Sequence, residues 1–272
     1  MYEWPDSTVD GRGRVMFIHG TGLHAQSWKP WLELFARNGY DGVAALWPGE
    51  APSLVACRAQ WGRQAILRVD EISDHVAASI TSHGRVPIAI GHDAGALVAE
   101  TLLERDLASA AVALAPPYPG LAAGLWRQLR AGLNALTMTG RQRSAMPTGP
   151  EFHRAFADKL DFSESEALRA RHAVAAAPWS VMVGVRSRPS GSRSAGIHET
   201  GIRGPLLLIS GGCDLLAPEE RVNDLHIWHR RKSPDAVTDY QVFPGRGHSM
   251  VIDAGWRDIA EYVLDWLTRQ NQ

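Results

Sequence analysis

The sequence predicts an α/β fold: a mostly parallel central sheet flanked by helices and interrupted by an inserted helical cap. Short apolar runs with β character alternate with stretches of helical spacing over residues 14–118, and again over residues 205–270. Many of these runs are apolar throughout, which is typical of strands covered on both faces by helices. Between the two regions, residues 119–200 replace the alternation with Gly, Pro and Arg among short helical pieces.

The first region predicts four strands and three helices. The strands are expected at residues 14–18, 42–46, 86–90 and 109–115. Helical spacing predicts helices at residues 28–38, 66–83 and 94–104, and a glycine follows the first two. Successive strands joined through helices run parallel, because a parallel connection must cross back over the sheet.

The same pattern returns after the insertion, with strands at residues 205–210 and 238–243 and helices at residues 218–229 and 256–270. Inside the insertion, residues 121–136 and 151–160 predict short helices, and the Ser-, Arg- and Gly-rich residues 186–196 predict a mobile loop. The chain therefore divides into a first core part at 1–118, a cap insertion at 119–200 and a second core part at 201–272.

Composition limits the kinds of partner. The 272 residues carry a net charge of −1, which favours neither nucleic acid nor an anionic membrane as partner. We find no apolar run long enough to span a bilayer and no secretory signal in residues 1–14, so we expect a cytoplasmic protein. The two cysteines form neither a disulfide framework nor a metal cluster, and no cofactor is expected. The expected partner is a small-molecule substrate, and a homodimer is left open.

The segment Gly91-His92-Asp93-Ala94-Gly95 joins a predicted strand to a predicted helix. This context is typical of a nucleophile elbow, in which flanking glycines allow a sharp turn that exposes the central side chain. The usual central residue is serine, whereas this chain has Asp93. Because a carboxylate has a reference pKa of about 3.9, Asp93 would be ionised without help from a base.

Three further polar residues follow predicted strands directly: His19, Asp214 and His248. In parallel sheets, the ligand site lies beyond the carboxyl ends of the strands. We therefore expect these residues to gather with Asp93 at one edge of the sheet.

The sequence resembles the α/β-hydrolase superfamily. The matching motifs are His19-Gly20-Thr21-Gly22, Gly91-His92-Asp93-Ala94-Gly95, Gly212-Cys213-Asp214 and Gly247-His248, in the superfamily's order of nucleophile, acid and histidine. The resemblance covers essentially the whole chain and implies an α/β-hydrolase fold, with residues 119–200 in the place of the variable cap.

In having aspartate at the elbow, the sequence resembles the epoxide hydrolases and the haloalkane and haloacetate dehalogenases. The similarity implies that Asp93 attacks a saturated carbon and forms an alkyl-enzyme ester. His248 would then activate the water that hydrolyses this ester, and Asp214 would orient His248. By position, the backbone N–H groups of Thr21 and Ala94 are the expected oxyanion donors.

The expected substrate is an epoxide, ahead of a halide. Haloalkane and haloacetate dehalogenases usually place tryptophan or arginine after the nucleophile, where this chain has Ala94. Epoxide hydrolases of this type usually have two cap tyrosines, but residues 121–200 contain none. Candidates for the leaving-group acid and the substrate pocket are Tyr118, His153, His172, Trp126 and Trp179.

The sequence is also compatible with two other functions. Asp93 and His248 would also serve as a general acid–base pair in a cofactor-free cyclase, lyase or isomerase on the same fold. The third hypothesis is a binding protein without catalytic activity. Asp93 is also compatible with a simple turn residue, and Asp214 with a cap for the helix that begins near Pro218. We expect His19 to shape the oxyanion turn through hydrogen bonds and His92 to serve in packing.

Overall fold

A computed structural model describes residues 2–3, 12–59, 67–81, 86–117, 146–175 and 203–272. These residues form a seven-stranded sheet with the strand order β1-β3-β2-β4-β5-β6-β7. The strands are β1 (Tyr2–Glu3), β2 (Gly13–Ile18), β3 (Tyr40–Ala45), β4 (Ile88–His92), β5 (Ala110–Leu114), β6 (Leu206–Gly211) and β7 (Thr238–Phe243). Strands β2 to β7 pair in parallel, whereas β1 pairs antiparallel with β3, so the predicted fold class is confirmed.

Helices connect the strands. They are α1 (Lys29–Arg37), α2 (Leu54–Ala59), α3 (Val69–Thr81), α4 (Ala94–Glu104), α5 (Gly149–Phe156), α6 (Phe162–His172), α7 (Glu219–Lys232) and α8 (Trp256–Arg269). Two 3₁₀ turns occur at Ala25–Trp28 and His248–Val251. No helix in the described ranges is both long enough and apolar enough to cross a membrane.

The centre of the sheet explains the unbroken apolar runs. Every residue of β4, β5 and β6 is buried, because helices cover both faces of these strands. Every residue of β7, at the sheet edge, is only half-buried. The large hydrophobic core that results also includes Phe152 and Phe156 of α5, and a small separate cluster contains Ala51, Cys57 and Val174.

Helices α2 and α6 and strand β1 were not predicted. Helix α6 buries only Ser165 and Leu168, so its sequence has no apolar stripe from which a helix is recognised. Strand β4 was predicted two residues too early, since it extends to His92. The helix predicted at 121–136 and the loop predicted at 186–196 lie outside the described residues.

Polar contacts hold the end of α6 against the core. The Arg58 guanidinium donates to the carbonyls of Ala170 and Ala173. Just beyond the helix, the N–H of Val174 donates to Gly22 O at 2.9 Å. The inserted segment is therefore hydrogen-bonded to the loop that follows β2.

The turn between β4 and α4 is closely packed. A Cβ atom at Gly91 would lie 1.9 Å from Gly95 O, and one at Gly95 would lie 2.2 Å from Ile18 O. Neither position has room for a side chain, since the neighbouring atoms belong to the backbone and cannot rotate away. The two glycines thus let the turn lie directly against the end of β2.

We expect Gly91→Ala to destabilise the fold by about 3 kcal/mol or more, because the added methyl group overlaps backbone atoms. Chemical denaturation monitored by circular dichroism measures the change. Gly245→Ala is the matched control: Gly245 has φ +72° but open space around it, so only a backbone cost of about 1–2 kcal/mol is expected. Equal losses in the two variants would contradict the packing argument.

Candidate active site

Asp93 occupies the strained position of the turn between β4 and α4. Its backbone angles are φ 54° and ψ −121°, outside the regions that non-glycine residues usually adopt. The N–H of Thr21 donates to Asp93 Oδ2 at 2.8 Å. The N–H of Ala94 also donates to this carboxylate. The two backbone groups predicted as oxyanion donors therefore already hold the Asp93 side chain.

Burial raises the pKa of the Asp93 carboxyl group above its ordinary value, because desolvation penalises the charged form. The attraction of His248 and the hydrogen bonds from Thr21 and Ala94 act in the opposite direction. The carboxylate is thus buried but compensated, as a charge in an apolar environment must be.

His248 lies between two carboxylates. Its Nδ1–H donates to Asp214 Oδ2 at 2.8 Å, and its Nε2 lies 3.7 Å from Asp93 Oδ1. Burial lowers the pKa of His248, but the charge and the hydrogen bond of Asp214, together with the charge of Asp93, outweigh burial and leave the pKa raised. The fixed Nδ1–H directs Nε2 towards Asp93, as the predicted arrangement requires.

Asp214 makes two kinds of contact. While Oδ2 accepts from His248, Oδ1 accepts from the backbone N–H groups of Leu216 and Ala217 at 2.7 and 2.9 Å. Asp214 does not cap the helix as one interpretation predicted, because Leu216 and Ala217 precede α7 and the N-cap residue of α7 is Pro218. One oxygen fixes the loop and the other holds the histidine. The carboxylate is 4% exposed, so the loop contacts also fix its orientation.

Phe156 is a contact that the sequence analysis missed. Its ring meets the His248 ring edge-on, with centroids 5.1 Å apart, and it stacks on Phe152 at 4.9 Å. The only signal in the sequence was an aromatic pair four residues apart in a predicted helix. Phe156 comes from the inserted segment, so this segment forms one wall of the histidine's environment.

His92 packs against both His248 and Phe156, in the packing role expected of it. Its ring lies 4.6 Å from that of His248, and its Nε2–H donates to His248 O at 3.1 Å. Burial and the neighbouring His248 keep the pKa of His92 well below the ordinary value. His92 is therefore neutral and supports the backbone of His248.

His19 shapes the oxyanion loop, as its position predicted. Its ring nitrogens face Gly20 O and Glu50 Oε2, both at 3.0 Å, and its ring stacks on Trp47 at 4.6 Å. Burial alone lowers the pKa of His19, but the Glu50 charge and hydrogen bond outweigh it and raise the pKa. Glu50, in the turn after β3, is a second contact that the sequence analysis missed.

His24, Glu50 and Cys57 bring possible metal ligands within 4.8 Å of one another. His24 Nδ1 accepts from the N–H of Gln26, while Nε2 faces Ala51 O and therefore carries the proton. A metal on Nε2 would move this proton to Nδ1, against the Gln26 N–H. Since Glu50 is also engaged by His19, these residues do not fit a metal ion.

Of the residues predicted for the pocket or for the leaving-group acid, the described ranges include His153 and His172. Tyr118, Trp126 and Trp179 lie outside the described residues. His153 lies on α5, three residues before Phe156, with its ring edge-on to Phe162 at 5.5 Å. Its Nδ1 is buried and has no hydrogen-bond partner within the described part of the chain. His172 ends α6, and burial, reinforced by the charges of Arg171 and Arg58, lowers its pKa to about 4.

The sequence profile of the alpha/beta hydrolase family matches residues 15–262. Comparison with the curated proteins finds no match. Among solved structures, the chain is similar to a putative non-heme bromoperoxidase, BpoC, from Mycobacterium tuberculosis H37Rv, with 16% identity, a TM-score of 0.67 and coverage of 95% of this chain and 92% of that chain.

Two esterases are also similar in fold. A thermophilic esterase from Thermogutta terrifontis has 17% identity and a TM-score of 0.63 over 95% of this chain and 90% of its own. The methylesterase MES16 from Arabidopsis has 15% identity and a TM-score of 0.61 over 94% and 98%. Such low identities establish the shared fold and leave the chemistry to the site itself.

We expect Asp214→Asn to lower the pKa of His248, because burial then acts without the opposing carboxylate. An NMR titration of the histidine rings measures the change, with His248→Gln used to assign the resonance. Asp74→Asn is the matched control, since Asp74 pairs with Arg105 and both side chains are exposed to solvent. An unchanged titration of His248 in Asp214→Asn would contradict the assigned contact.

Proposed function

The chain belongs to the alpha/beta hydrolase family, and from that premise we propose that it hydrolyses a small epoxide through a covalent ester on Asp93. The observation that carries the proposal is the asymmetry of the carboxylate. The N–H of Thr21 donates to Oδ2 at 2.8 Å, while Oδ1 lies 3.7 Å from His248 Nε2, beyond hydrogen-bond distance. Oδ1 therefore remains available to attack a carbon atom.

In the first step, Asp93 Oδ1 attacks an epoxide carbon, the ring C–O bond breaks and an alkyl-enzyme ester forms. The alkoxide that leaves must receive a proton from an acid. His172 suits this role poorly, because a pKa of about 4 leaves it neutral at pH 7. His153, with its unpartnered buried Nδ1, and Tyr118 are the candidates we retain.

In the second step, His248 Nε2 takes a proton from water, and the hydroxide attacks Cγ of the ester. The negative charge then develops on Oδ2, which the N–H of Thr21 already contacts, and the N–H of Ala94 donates to the same carboxyl group. Asp214 stabilises the imidazolium that forms on His248. Cleavage of the bond between Cγ and the substrate oxygen releases a diol, whose new hydroxyl group takes the proton of the carboxylic acid and so restores the carboxylate. The proton on His248 then returns to the acid that served the first step. We propose that residues 119–200 act as the cap, since Phe156 already packs on His248.

One observation favours a second candidate, a cofactor-free acid–base enzyme. Burial raises the pKa of Asp93, which moves the group towards the range in which a carboxyl group both donates and accepts protons. In that mechanism no ester forms on Asp93. A dehalogenase is less well supported, because Ala94 provides no side-chain donor for a halide.

We expect a single turnover in ¹⁸O-labelled water to place the label in the Asp93 carboxylate. The reason is that water attacks Cγ rather than the substrate. Mass spectrometry of the peptide containing Asp93 measures incorporation, and a styrene oxide probe supplies the epoxide. His248→Gln should accumulate the ester, with a mass increase equal to that of the probe. Turnover of the probe with an unlabelled Asp93 would favour the acid–base mechanism.

We expect Asp93→Ser to gain esterase activity towards p-nitrophenyl acetate, at least about a hundredfold above Asp93→Ala, because His248 would then act as base for the hydroxyl group. The wild-type carboxylate is a poor nucleophile towards an ester, since attack would give an anhydride. The matched control adds His248→Ala to Asp93→Ser and should remove the gain. Absence of any gain, in a variant that melts like the wild type, would contradict the proposed arrangement.

A further inference from the structure

A second cavity lies beside the candidate active site. It has a volume of about 430 Å³, within the usual range of small-molecule sites, and Asp93 is not among its lining residues. Its walls come from the start of α1, the first residue of α2, the end of α6 and the residues that follow His248. The cavity is thus bounded by the core on one side and by the inserted segment on the other.

The charged residues at this cavity are all cations. Lys29 and Arg171 line it and are exposed, and none of the described lining residues is acidic. The two charged side chains that line the cavity therefore have the same sign, in a chain whose net charge is −1. This pair of cations favours an anionic ligand at the rim of the cavity.

The deeper part of the cavity has an apolar wall beside the buried polar residues His24 and Ser27. Val251 and Ile252 are 2% and 9% exposed, and Trp256 and Leu54 are half-buried beside them. Since a hydrocarbon group gains free energy on leaving water for such walls, the interior favours the apolar body of a ligand. The two halves of the cavity therefore suit an amphiphilic anion.

We infer that this cavity binds an organic carboxylate with an apolar body, whose charge meets Lys29 and Arg171 and whose hydrocarbon part meets Val251, Ile252 and Trp256. Such a ligand contacts the core and the end of α6 at once. It would stabilise their contact near Gly22, where Val174 is hydrogen-bonded. The proposal does not depend on the chemistry proposed for Asp93.

Isothermal titration calorimetry with octanoate tests the proposal, and 1-octanol serves as the uncharged probe. We expect octanoate to bind one site more tightly than octanol. Lys29→Gln and Arg171→Gln should each weaken octanoate by roughly twofold to fivefold, the effect of one exposed charge, and leave octanol unchanged. Arg231→Gln is the matched control, because Arg231 is exposed on α7, which packs on the strands at the far edge of the sheet.

Two further variants locate the ligand. Leu54→Trp fills the cavity and should weaken both probes, with circular dichroism verifying the fold. Asp93→Asn should leave octanoate binding unchanged, because Asp93 does not line this cavity. Tighter binding in Asp93→Asn would place octanoate beside the removed charge, and equal binding of the two probes would show no preference for an anion. Either result, or no binding of octanoate, overturns the inference.

Discussion

The site depends on the close approach between the turn at Asp93 and the loop that follows β2. Glycines permit it at both ends: Gly95 lies against Ile18 O, and a Cβ at Gly20 would lie 2.7 Å from the Cβ of Asp93. Because the two segments lie so close together, the N–H of Thr21 can donate a hydrogen bond to Asp93 Oδ2. The strained φ of Asp93 persists because the packed backbone on both sides leaves the turn no other conformation.

The second requirement is compensation of charge in a site from which water is largely excluded. Asp93, Asp214, His19 and His248 are each at most 5% exposed, and each charge has a partner of opposite sign or several N–H donors. In such surroundings a carboxylate without donors would be protonated. The backbone donors of Thr21 and Ala94 therefore keep Asp93 closer to its charged form, which is the form that a nucleophile requires.

The sequence predicted the fold and the central triad because both depend on local patterns and on one topological rule. Apolar runs identified the strands, and the position directly after a strand placed Asp93, Asp214 and His248 at one edge. Phe156 and Glu50 were not predicted, because their roles come from packing between segments distant in sequence. Helix α6 was missed for a different reason: only two of its residues are buried, so tertiary contacts stabilise it rather than an amphipathic pattern.

A serine and an aspartate at position 93 would make different demands on the surrounding residues. The distances around Asp93 distinguish these demands. A serine hydroxyl needs the histidine as base within hydrogen-bond distance, whereas a carboxylate needs one oxygen anchored and the other unbound. The contact of Oδ2 with Thr21 meets the second requirement, and the 3.7 Å separation of Oδ1 from His248 leaves the histidine without a bond to the nucleophile. In the mechanism that we propose, His248 acts on water in a later step rather than on Asp93 itself. Replacing one side chain would thus change the order in which unchanged neighbours act, while the backbone of the turn stays the same.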